Sequence, residues 1–144
     1  MKKEDLDLLV KNERIRIRSV DKEKIKSLLE SSKITAEVVL SIPLNEKTAT
    51  VIFREAYESI RQLGDAQWWL LGCEPLDHGI SLDVLKGIEV KESTKLNFLD
   101  RFRRIRNDAN YRGFKISMNQ AQEIINFWNE VGMEILEILR KKVK

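Results

Sequence analysis

The sequence predicts an all-α protein, an up-and-down antiparallel bundle of four main helices with short extra helices. Three observations carry this. Only 6 glycines and 2 prolines interrupt 144 residues, too few for the tight turns of a sheet protein. Apolar residues make up 42% of the chain and charged residues 34%, enough to fill a core and solvate its surface. The apolar positions recur in steps of three, four and seven over long stretches, the period of a helix with one buried face. The length fits one domain spanning residues 1–144, and short connections favour antiparallel neighbours.

The elements follow in order. Residues 5–12 predict a first short helix with Leu6, Leu9 and Val10 as its contacts. Arg14 to Arg18 alternate basic and apolar residues, too briefly to decide for a strand, and are taken as an extended joint. Ser19 or Asp21 can cap the next helix, whose stripe runs Ile25, Leu28, Leu29, Ser32, Ala36, Val39 and Leu40. Pro43 stops it, because proline lacks an amide donor. Asn45 is the expected cap of a long helix with Ala49, Ile52, Phe53, Ala56, Ile60, Leu63 and Leu70 on one face and Gly72 at its end. Gly64 interrupts it, at about 1 kcal/mol relative to alanine. Residues 73–80 form a connection, and Ser81 is the expected cap of a short helix ended by Gly87. Ser93 then caps a long element through Leu96, Leu99, Phe102, Ile105 and Ala109, broken at Gly113 and Lys115. Ser117 and Gln120 have capping-box spacing. They start a last helix through Ala121, Ile124, Trp128, Ile135 and Leu139 to the basic end at 140–142. The adjacent Trp68 and Trp69 cannot both face one core centre, so one of them is expected to cover a helix junction or a dimer surface, and Trp69 and Tyr57 are the apolar residues in excess of a simple core stripe that a dimer surface could use.

Composition excludes several classes. One cysteine, Cys73, forbids an internal disulfide, and one histidine, His78, makes a metal centre hard to build. Glu123, Glu130, Glu134 and Glu137 do not form an inward-facing carboxylate–histidine set. No glycine-rich phosphate loop, zinc motif or calcium loop is present, so neither a metal nor a cofactor is expected. No apolar run reaches the roughly 18 residues of a membrane span, and the amino terminus does not read as a signal peptide. No membrane association and a cytoplasmic location are the expectations. Cys73 reads as a small buried residue near a helix end rather than a nucleophile.

Charge is uneven. Residues 101–115 hold six basic residues and one acid, a net of +5, whereas residues 44–100 hold six basic and ten acidic residues, a net of −4. On a helical wheel Arg106 falls about 40 degrees from Phe102, inside the apolar arc. An arginine there must snorkel, pair with an acid, or face a cleft or a subunit interface. Asn110 lies one turn on. The structural alternative is a solvated helix whose Arg106 pairs with a glutamate. The functional one is an anion site, with a bidentate guanidinium for phosphate and Tyr111 to stack on a base.

The run Arg106-Asn107-Asp108-Ala109-Asn110-Tyr111 resembles the signature of the HEPN superfamily, small helical bundles of prokaryotic toxin–antitoxin and RNA-processing systems. That signature is an arginine, usually followed by a polar residue, with four to six residues between the arginine and a histidine. The order of elements is similar too, over residues 20–142. Arg106 and Asn107 match the motif, but the histidine position holds Tyr111, and the longer spacings reach Arg112 and Gly113. The resemblance implies a homodimer, an RNA or nucleotide ligand, and a nucleotidyltransferase-type protein partner. In relatives that are metal-independent ribonucleases, the arginine and histidine activate a ribose hydroxyl. A tyrosine, with a pKa near 10 (~10), is a poor base at neutral pH.

Three readings stay open. The first is a non-catalytic module binding RNA or a nucleotide through Arg103, Arg106, Asn107, Asn110, Tyr111 and Arg112. The second is a toxin-like ribonuclease using Arg106 with Tyr111 or His78. The third is a structural or regulatory dimer without a ligand.

Overall fold

The computed structural model describes residues 2–144. It is an all-α helical bundle with one small β clip. The helices are α1 (Lys3–Lys11), α2 (Lys22–Leu40), α3 (Ala49–Leu70), α4 (Phe98–Arg112), α5 (Met118–Phe127) and α6 (Met133–Lys142). Three 3-10 turns, His78–Ile80, Asp83–Gly87 and Ser93–Asn97, join α3 to α4. Among the described residues, no helix is long and apolar enough to cross a membrane.

Helix α3 is the central element and packs against α2, α4, α5 and α6. Its stripe buries Ile52, Phe53, Ile60 and Leu63 completely or nearly so. Phe53, Phe102 and Phe127 meet edge to face inside this core, with ring centroids 6.0 and 5.4 Å apart. That is the offset geometry aromatic quadrupoles favour. Ser32 donates its buried hydroxyl to the Ser59 carbonyl at 2.7 Å, and Gln62 donates to Ser31 at 2.9 Å, so α3 runs back along α2.

Several local features follow the sequence. Asp21 caps α2 by accepting from the Lys24 amide, and Ser117 with Gln120 forms the reciprocal box at α5. Gly113, at φ 70°, ends α4 in the left-handed conformation.

Other elements differ from the expectation. Residues 14–18 are more than a joint, because Ile15–Ile17 (β1) pairs antiparallel with Cys73–Pro75 (β2). Three residues of alternation are too few to announce a strand whose central pair, Arg16 with Glu74, lies 58 positions apart. Asn45 does not cap α3; its side chain accepts from the Lys47 and Thr48 amides and closes a turn, and the helix starts at Ala49. Ser93 opens a 3-10 turn without capping it, and the regular helix starts at Phe98. Ser81 does not cap the Asp83–Gly87 turn, whose N-cap position is Leu82; its buried hydroxyl donates to Asp65. The last helix is continuous but widens to a π turn over Trp128–Gly132, where the Trp128 ring lies against Gly132.

The two tryptophans face different centres, as expected, but both are buried and Trp69 is not on an outer surface. Trp69 joins the main core. Trp68 enters a second cluster with Ile15, Cys73, Ile80 and Val84, roofed by Leu6 and Leu9 of α1. Adjacent wheel positions reach two cores because the β clip and the 3-10 turns build the second one on the far side of α3. Tyr57 is likewise buried rather than on an outer surface.

Candidate functional site

The middle of α3, the His78 turn and α4 enclose a cleft of about 300 Å³. Arg103, Arg106, Asn107 and Tyr111 line it from α4, Tyr57 and Arg61 from α3, and His78 from the turn. Asn110 and Arg112 are not among its lining residues. Asn110 is half-buried, with a buried side-chain oxygen that no donor reaches. Arg112 is exposed and stands 4.0 Å from Asp108.

Arg106 resolves the wheel anomaly by lying on an aromatic face. Its guanidinium carbon is 5.5 Å from the centroid of the Tyr57 ring, a cation–π contact of about 0.5–2 kcal/mol depending on solvation. Burial raises the Tyr57 phenol above its ordinary value, against the lowering pull of the Arg103 and Arg106 charges, so the ring stays neutral. Among the described residues no carboxylate forms an ion pair with Arg106.

The other charges in the cleft are paired. Arg103 donates to Asp83 at 2.7 Å, which ties α4 to the second 3-10 turn. Arg61 forks onto Glu58 through Nε and Nη2 and donates Nη1 to Asp65 at 2.7 Å. The Glu58 carboxyl is held below its usual range by the Arg61 bond. Asp65 goes the other way, because burial outweighs the pull of Ser81 and Arg61. Asp77 is lowered by the Gly79 amide first and by Arg14 second, and those two bonds, 2.6 and 2.9 Å, fix the turn that carries His78.

The turn thus brings His78 into the cleft with Arg106 and Tyr111 across a gap of 28 positions (from 78 to 106) in the chain. His78 is exposed, and its Nδ1 stands 3.1 Å from Arg61 Nη1. Tyr111 is 79% exposed at the end of α4, an open ring face lining the same cleft as Arg106, which among the described residues is the cleft arginine without an ion pair.

Sequence reasoning missed Tyr57, Arg61 and the carboxylates that hold Arg61. Glu58, Arg61 and Asp65 stand three and four residues apart, a helix ion-pair ladder that was legible as spacing. Nothing in the sequence aimed that ladder at His78.

Cys73 is buried, and burial raises its thiol, so no thiolate is presented. Glu123 and Glu130 pair with Arg101 and Lys95, Glu134 accepts from the Lys91 amide, and Glu137 pairs with Arg140. Among the described residues no group of three or more His, Cys, Asp or Glu is placed to hold a metal ion. The chain matches no protein-family model, no curated protein and no solved structure.

Proposed function

We propose that this chain is a HEPN-like helical module that binds an RNA or nucleotide phosphate in the Arg106 cleft, as a homodimer, without cleaving it. One observation carries the reading. Arg106 is a half-buried guanidinium at a cleft, without a carboxylate partner among the described residues, while Arg61 and Arg103 beside it are neutralised. A phosphate supplies the missing countercharge and accepts the fork of N–H donors. Asn107 adds an amide, and the exposed Tyr111 ring offers a stacking face for a base. Tyr111 at the histidine position of the motif favours binding over cleavage. The nucleotidyltransferase-type partner belongs to the same proposal and rests on the resemblance alone.

A second reading has its own support. His78 lines the cleft that holds Arg106 and Tyr111, so a metal-independent ribonuclease built on Arg106 and His78 is the alternative.

One experiment separates them. Wild type and Arg106→Ala are incubated with mixed RNA in EDTA at low salt, and both are sized by light scattering. Binding that weakens with salt, no cleavage, and a loss of roughly tenfold or more in the variant support the module. Cleavage by wild type that is lost in Arg106→Ala supports the ribonuclease and sinks the first reading. An altered oligomeric state without RNA binding by either protein makes Arg106 an interface residue instead.

A further inference from the structure

His78 is the only histidine in the chain, and its ring is held from one side. Arg61 spends its donors in a defined way. Its Nε donates to Glu58 Oε2 at 2.9 Å and its Nη2 to Glu58 Oε1. One hydrogen of Nη1 goes to Asp65 Oδ2 at 2.7 Å, and the other faces His78 Nδ1 at 3.1 Å. A guanidinium only donates, so Nδ1 accepts and the ring proton sits on Nε2. The donor is itself immobilised, because Asp65 also accepts from the buried Ser81 hydroxyl at 2.6 Å. The turn is fixed from its other end by Asp77, which accepts from the Gly79 amide and from Arg14.

Two consequences follow. The Nδ1 lone pair, which is the basic site of this tautomer, is occupied. The Nε2–H is left as the free donor of a ring that lines the Arg106 cleft. Arg61 supplies no countercharge of its own, since it already faces two carboxylates.

We infer that Arg61 is a positioning residue that fixes the His78 imidazole as a hydrogen-bond donor to the anion held by Arg106. The donor role rests on the anion-binding reading above; the contact between Arg61 and His78 does not. Together they make the cleft a site for an acceptor-rich anion, to which Arg106, the His78 Nε2–H and the Asn107 amide all donate.

The test has two arms. Long-range proton–nitrogen spectra of the full chain at about pH 8, above the ordinary imidazole range, report the tautomer of the sole histidine. Wild type is expected to show the Nε2–H tautomer alone, and Arg61→Gln a mixture. An Nδ1–H tautomer in wild type, or identical spectra for the two proteins, overturns the role of Arg61. In the second arm the probe is a fluorescein-labelled oligouridylate at low salt. His78→Ala and Arg61→Gln are each expected to weaken binding roughly tenfold, and His78→Gln to restore most of what His78→Ala loses, because its amide keeps a donor and no base.

Unchanged affinity in His78→Ala, or cleavage of the probe by wild type in EDTA, overturns the donor role. No binding by wild type fails the anion reading and the donor role with it, while the imidazole spectra still judge the Arg61 contact separately. If Arg61→Gln does not fold, the wild-type spectrum and the two His78 variants decide.

Discussion

Replacing Gly64 with alanine should be among the most damaging single-methyl changes in this protein, although helix propensity says the reverse. Within a helix, alanine is favoured over glycine by about 1 kcal/mol. Gly64 sits in the middle of α3, and a Cβ there would lie 1.8 Å from the Ser81 carbonyl oxygen and 2.6 Å from the Ser81 carbonyl carbon. Both are backbone atoms, so no side-chain rotation relieves the clash. Ordinary contact requires the segment around Ser81 to retreat by about 1.5 Å, and the two hydrogen bonds that hold it cannot follow. These are Ser81 to Asp65 at 2.6 Å and Trp68 Nε1 to the Ile80 carbonyl at 3.0 Å. Each is worth about 0.5–1.5 kcal/mol net, and overpacking a tight interior adds about 1–3 kcal/mol. After the propensity gain the expected net loss is roughly 1–5 kcal/mol. Urea unfolding followed by far-ultraviolet circular dichroism measures it, and the slope with denaturant should stay unchanged. A variant as stable as wild type would refute the close approach of α3 to this segment. It would also remove the reason for placing His78 where it is, since the same segment anchors the His78 turn.

Other predictions are simpler. Phe102→Ala should cost about 3–5 kcal/mol in the same assay, because its ring is 1% exposed and touches three other phenylalanines; a loss under about 1 kcal/mol would contradict the described core. Ser117→Ala removes half of the capping box and should cost about 0.5–2 kcal/mol, read as a lower melting temperature. Carbon-detected titration of the carboxyls should show Glu58 displaced below its ordinary value and Asp65 above it. The signs for stability are then opposite. The Glu58 contribution is present above its unfolded value and is lost as pH falls through the folded one. That of Asp65 is present below its unfolded value and is lost as pH rises through the folded one. Displacement of both carboxyls in the same direction would contradict the burial of Asp65 between Arg61 and Ser81.

Much of the scaffold was legible because it is periodic. Apolar residues one helical turn apart must share a face wherever the helix lies, so the stripes of α2, α3 and α5 could be read directly, and local caps such as Asp21 and Ser117 follow from short-range donor and acceptor chemistry. The same periodicity marked Arg106 as a charge on an apolar face. It did not say what met that charge.

Tertiary structure alone decided the rest. The pairing of β1 with β2, the second core around Trp68, and the meeting of Tyr57 with Arg106 join residues far apart in sequence. None has a local period to announce it. The three 3-10 turns, whose side-chain spacing is not that of the α-helix, carry His78 to the cleft and Ser81 to Asp65. A sequence specifies which faces must be buried, but which faces meet depends on how whole helices pack. The charge pattern of residues 101–115 was therefore determined by sequence, and only packing decided that Arg106 keeps its charge unpaired while Arg103 gives its charge to Asp83.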